Sequence, residues 1–378
     1  MSTPPTTAPP AQSRAAADAV RSGAAQLRAR LSTLLQAHAY LTGLMTAAVG
    51  NGADPAPARA VVDQNDADLG TLVGEVFGPA AGQQFVGVWG RHLDLVLAYA
   101  RAKRAGDTAG ATQARAALDR FRSDLAAFFA TLSPSLTTST VSELFSSPVS
   151  GMLSAADAEA TRSPQQYESL RTAAASMPTA AELLAKAFTT HAPDRYRGNL
   201  DSPASTLLTV SSDLLEEHVY LLSVTTGAQA AGGDAKAAFN ALDANSQALG
   251  NVLVSAYGSA AGATFLSLWR AHIAAFLDYA RARAAGNQAD AAQAGTRLDQ
   301  FEQDLGSFLA GANPNLTRDQ VAESLAGHVT SAEAVMDAQA GRSPQWVALS
   351  RAGSGRMLPL AALLAQALAA QLPGRFPG

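Results

Sequence analysis

Residues 268–282 read LWRAHIAAFLDYARA, and residues 88–102 read VWGRHLDLVLAYARA. In the later stretch Leu268, Trp269, His272, Phe276 and Tyr279, with Phe265 just upstream, are spaced to share one side of an α-helix. A helix is predicted from near Ser259 to Gly286-Asn287, with a histidine on its inward face. The two stretches lie 180 residues apart, and the same shift lays His38 on His218, Trp89 on Trp269 and Asp157 on Asp337 without a gap. The chain reads as a tandem duplication.

Around that helix the second copy carries regular punctuation. A helix over 205–228 shows Leu207, Val210, Leu214, Leu221 and Thr225 at helical spacing and ends at Gly232-Gly233. The next runs over 235–257 and stops at Tyr257-Gly258, as its counterpart stops at Phe77-Gly78. A fourth, over 288–311, places Leu298, Phe301, Leu305 and Phe308 together before Asn313-Pro314. Thr317 with Gln320 forms a capping box for the fifth, which carries Val321, Leu325, His328 and Val335. Ser343-Pro344 opens a sixth helix that Gly353, Gly355 and Pro359 weaken around Met357.

No run alternates β-branched residues, and no Asn-Gly turn joins two strand-like segments. Hydrophobic content is 48% but aromatic content only 6%, so alanine-rich helices must pack closely. The expected fold class is all-α, two tandem antiparallel helical bundles of about six helices each. The expected order is a disordered Pro/Thr-rich leader over 1–24, a first bundle over 25–196, a linker over 197–204 and a second bundle over 205–378.

Net charge is −4, the only lysines are Lys103, Lys186 and Lys236, and no basic run occurs, which argues against nucleic acid as a partner. Without cysteine there is no disulfide framework, thiolate zinc site or thiol nucleophile. The longest apolar stretch recognised, Leu358 to Leu372, is interrupted by Pro359 and Gln366, so no transmembrane segment is expected. The start, MSTPPTTAPPAQS, lacks the apolar stretch of a secretory signal.

Five of the six histidines, His38, His92, His218, His272 and His328, fall on predicted helices within or beside apolar stripes. In the second copy the three come from three different helices. Met357 on a fourth and Glu217 beside His218 complete a candidate metal set of Glu217, His218, His272, His328 and Met357. Imidazole and thioether donors favour copper, with iron or zinc behind it. The competing reading is that buried histidines merely hydrogen-bond within the core. In the first copy Ala37 replaces Glu217 and Pro148 replaces His328, so any ligand is expected in the second bundle and the first is read as degenerate.

Paired Asn65 and Asn245 read as core amides bonding a neighbouring helix, Trp89 and Trp269 as core anchors, and Asp157 and Asp337 as caps of the following turn. No Glu precedes a His by three residues, as a carboxylate di-iron site needs, and no His-Glu-x-x-His, Gly-x-Ser-x-Gly or phosphate-loop motif occurs. With no evident nucleophile, the reading is non-enzymatic.

The runs LLEEHVYLLSVTTGA (214–228), LWRAHIAAFLDYARA and GHVTSAEAVMDAQAGRSP (327–344), with Tyr257-Gly258 and Ala261-Gly262, resemble an uncharacterised bacterial family of tandem helical repeats. Its members are often secreted or envelope-associated, and some are labelled "copper amine oxidase-like". The resemblance spans about 27–374. It implies an extracytoplasmic or envelope location and a His-Met pair on the sixth helix. Here Arg356 precedes Met357 and Ser176 precedes Met177, so that histidine is missing. The tyrosine-derived cofactor and β-rich fold of amine oxidases find no support in this helical chain. The expected function is a copper-binding bundle of the cell envelope, with haem or iron as less favoured cofactors. The alternative is a scaffold acting through self-association or envelope partners.

Overall fold

The computed structural model describes residues 10–378, which form seventeen α-helices and no strand. They are α1 (Pro10–Val20), α2 (Gly23–Asn51), α3 (Ala56–Phe77), α4 (Pro79–Trp89), α5 (Arg91–Ala105), α6 (Thr108–Leu132), α7 (Thr138–Leu144), α8 (Ser146–Ala160), α9 (Gln165–Ala175) and α10 (Met177–His191). The series continues with α11 (Pro203–Ala231), α12 (Ala235–Tyr257), α13 (Ser259–Ala284), α14 (Gln288–Ala312), α15 (Arg318–Ala340), α16 (Trp346–Arg356) and α17 (Leu358–Gln371).

Two compact units result. The first bundle comprises 30–195 with 236–241; the second comprises 196–235 and 242–378 together with 10–29. The described part of the expected leader is therefore corrected: Pro10–Val20 is helical and packs on α17 and α11. Ala16 and Val20 on α1, with Ala25 and Ala29 at the start of α2, are buried against Ala204, Leu207, Leu208, Ala365 and Leu368. Small side chains at helical spacing let α1 approach closely, and the Pro/Thr composition just upstream concealed that pattern. Residues 1–9 of the expected leader lie outside the described residues.

In the second bundle the capping signals act as expected. Ser202 accepts the amide of Ser205 ahead of Pro203, and Thr317 and Gln320 form the reciprocal box at the start of α15. Three residues join α13 to α14, which pack along each other and must run antiparallel; Gly286 makes the turn with φ of +70°. By length and apolar composition α13 is the one described helix able to cross a bilayer. Its buried side carries Phe265, Trp269, His272, Ile273 and Phe276.

The first bundle is more broken. Where α13 continues through Arg270, α4 and α5 part at Gly90; where α15 continues through His328, α7 and α8 part near Pro148. Proline has no amide to donate to the preceding turn, and glycine weakens a helix through chain entropy. The sixth helix divides in both copies, at Met177-Pro178 and near Met357 ahead of Pro359, each proline sitting in the first turn of the following segment.

Asn65 Nδ2 donates to the Leu34 carbonyl at 3.0 Å and Asn245 Nδ2 to the Leu214 carbonyl at 2.9 Å, so each amide ties two helices, as expected. Asp157 and Asp337 do not cap turns. Asp157 accepts from Tyr99 at 2.8 Å and pairs with Lys103 at 3.0 Å, while Asp337 accepts from Tyr279 at 3.2 Å and pairs with Arg283 at 2.6 Å. Each carboxylate faces the neighbouring helix of its bundle instead of its own C-terminal turn.

Candidate metal centre

Three of the expected ligands converge. α11 brings His218, α13 brings His272 and α15 brings His328, with one ring nitrogen from each within 4.8 Å of the others. All three are fully buried or nearly so, at 0%, 1% and 0% exposure. His272 Nε2 lies 3.4 Å from His218 Nε2. Phe301 stacks on His272 with centroids 4.2 Å apart, Phe276 meets His328 edge-on at 5.5 Å, and Trp269 meets His272 at 4.4 Å. The imidazoles are held in fixed orientations by an aromatic shell.

Burial dominates their proton chemistry. It lowers His218 and His272 well below the ordinary histidine range, helped by the neighbouring imidazoles, and lowers His328 to about 4. At neutral pH each ring is uncharged and offers a lone pair. Both nitrogens of His328, Nδ1 of His218 and Nε1 of Trp269 are buried without a hydrogen-bond partner. Nδ1 of His272 also lacks one, although the Trp269 carbonyl favours a proton there. A buried polar atom without a partner costs about 1–3 kcal/mol, so a cluster of them marks a site shaped for something else.

Glu217 is not in the group. It follows Glu216 and precedes His218 on one helix, where neighbours point about 100° apart. Its Oε2 accepts from Asn245 Nδ2 at 2.8 Å. Glu216 is buried on another side of α11, where burial and Asp213 push its carboxyl well up and Ser354 approaches at 3.4 Å. Met357 is fully buried at the junction of α16 and α17. The converging donor set is thus three neutral imidazoles without a carboxylate.

The first bundle uses its histidines otherwise. His38 Nε2 lies 2.9 Å from His92 Nε2, His38 Nδ1 lies 2.8 Å from Asp66 Oδ1, and Trp89 Nε1 donates to the same oxygen at 3.0 Å. His92 Nδ1 donates to the Trp89 carbonyl. Burial pushes Asp66 up, but His38, His92 and the Trp89 hydrogen bond outweigh it and hold the carboxyl below its usual range. Burial and His38 lower His92 to about 4. Asp66 had not been singled out in the sequence; its counterpart at the 180-residue shift is Ser246, and that difference was the available signal.

No family model matches the chain, and no curated protein or solved structure is found similar to it.

Proposed function

We propose that this chain is a copper-binding protein, holding one ion in the core of its second bundle on His218, His272 and His328. The observation that carries this reading is the convergence of three uncharged imidazoles whose buried nitrogens lack other partners. A carboxylate-free, water-poor pocket favours a low-charge ion, because each additional unit of buried charge is costly to desolvate. Three neutral imidazoles suit cuprous copper better than zinc or ferrous iron. Met357 is the proposed fourth, weaker donor. Three rings already in mutual contact suit an ion better than a haem, whose macrocycle would have to enter between them. Storage or delivery at the cell envelope, the location implied by the family resemblance, fits a site with no nucleophile beside it.

Metal content of protein purified without a histidine tag tests the reading. One copper per chain is expected, lost in His272→Ala and in His328→Phe, the second variant filling the space with a ring of similar size. Met357→Leu keeps the volume and is expected to weaken cuprous affinity about tenfold with little change in melting. A metal-free protein whose melting is unchanged by copper would overturn the proposal.

A further inference from the structure

Ser246 stands where the first bundle has Asp66, and the exchange leaves two proton donors facing a missing acceptor. In the first bundle Asp66 Oδ1 receives both His38 Nδ1 and Trp89 Nε1. The corresponding rings keep their arrangement: His218 and Trp269 centroids are 4.8 Å apart at 56°, against 4.9 Å and 57° for His38 and Trp89. His218 Nε2 faces His272 Nε2 as His38 Nε2 faces His92 Nε2, so the ring is turned the same way. His218 Nδ1 and Trp269 Nε1 therefore converge on the place of the absent carboxylate oxygen, both buried and neither partnered. Ser246 is too short to reach that place, and its hydroxyl donates back to the Leu242 carbonyl at 3.0 Å.

An apolar cavity shares Trp269 with that place. Trp269 is part of its wall, Leu215 lies three residues before His218, and Leu249 lies three after Ser246; Leu253, Phe265 and Leu305 continue the lining. Its volume is only about 50 Å³. Such a slot is too narrow for a bulky ring and suits a single hydrocarbon chain.

We propose that the second bundle binds a small aliphatic carboxylate, its head accepting the His218 and Trp269 protons in the place of Asp66 and its tail entering the slot. The inference rests on the copper reading at one point: a metal on Nε2 keeps the His218 proton on Nδ1. The anionic head also supplies the counter-charge that the three imidazoles lack.

Formate, butyrate and hexanoate, titrated into copper-loaded protein against sodium chloride at equal ionic strength, test this by calorimetry and melting. Formate, the chemical equivalent of the Asp66 head, is expected to raise the melting temperature by roughly 2–4 °C when it exceeds its dissociation constant several-fold. Affinity should then rise about fourfold per added methylene as the tail is buried. Ser246→Asp, which restores an internal carboxylate, should abolish the response while copper stays bound. Carboxylates no better than chloride, or a Ser246→Asp protein that responds like the wild type, would overturn the inference. Metal content is read separately. A copper-free chain that still binds butyrate in a Ser246-dependent way would sustain this inference and overturn the copper reading.

Discussion

His38 and Asp66 form an ion pair, 2.8 Å from Nδ1 to Oδ1, inside the first bundle. Asp66, held below the usual carboxylate range by His38, His92 and the Trp89 hydrogen bond, is the charged group of the network, and Trp89 Nε1 donates to the same oxygen that faces His38. Removing one partner strands a buried charge, which costs about 3–5 kcal/mol. Asp66→Ser, the residue found in the second copy, should destabilise the first bundle by that order in urea denaturation. An unchanged midpoint would contradict the ion pair.

The same network makes the first bundle acid-labile. Folded His92 titrates near 4 against 6.5 for a free histidine, so between those values the unfolded chain holds a proton that the folded chain lacks. Stability should rise with pH through that window, by roughly 3 kcal/mol if the shift is fully expressed. Asp66, lowered by its partners, adds loss of the same sign at still lower pH. Urea midpoints measured from pH 4 to pH 7 check the slope, and a flat profile would count against it.

Glu159 tilts the profile the other way. Burial raises it to about 8, leaving Oε2 unpartnered. The folded state then binds the extra proton between 4.5 and 8, and stability falls as pH rises through that window. At the equivalent place the second copy has Gln339, whose amide donates to the Ser223 carbonyl at 2.8 Å. Glu159→Gln should therefore stabilise the first bundle at pH 7 by roughly 3 kcal/mol and remove the alkaline decline. Thermal melts at pH 5 and pH 8 compare the two proteins; equal pH dependence would rule the shift out.

Val20, fully buried on α1, seals the second bundle. Val20→Asp would place an unpaired charge against Leu207, Leu208 and Leu368 and should cost more than about 3 kcal/mol. Hydrogen exchange should register the loss in α11 and α17. Protection there equal to wild type would mean that α1 contributes nothing to that core.

Much of this was readable from spacing. Glycine and proline mark the six helical segments of the second copy because each acts on the backbone locally, and the four- and three-residue intervals around His218, His272 and His328 point all three inward. Depth along a bundle is not local, so their meeting at one level was not readable. Glu217 misled for the opposite reason: adjacency in sequence separates side chains on a helix, and its carboxylate went to Asn245. Asp66 was not legible because its partner His38 lies 28 residues away on another helix, and no local spacing joins the two. Proline-rich surroundings likewise masked α1, whose only signal is a ladder of alanines.

Residues 10–29 are synthesised before any of the first bundle, yet they are buried against α11 and against α17, whose sequence emerges last. The opening helix must wait, its alanine face exposed to water, while about 340 residues are made and the first bundle gathers itself. Closing so long a loop costs little more than closing one half the length, because that entropy grows only logarithmically. The delay is the greater burden. A ribosome releasing this chain completes the second bundle in a single late event, so a gene fragment cut at the repeat boundary would yield a second half lacking its first helix.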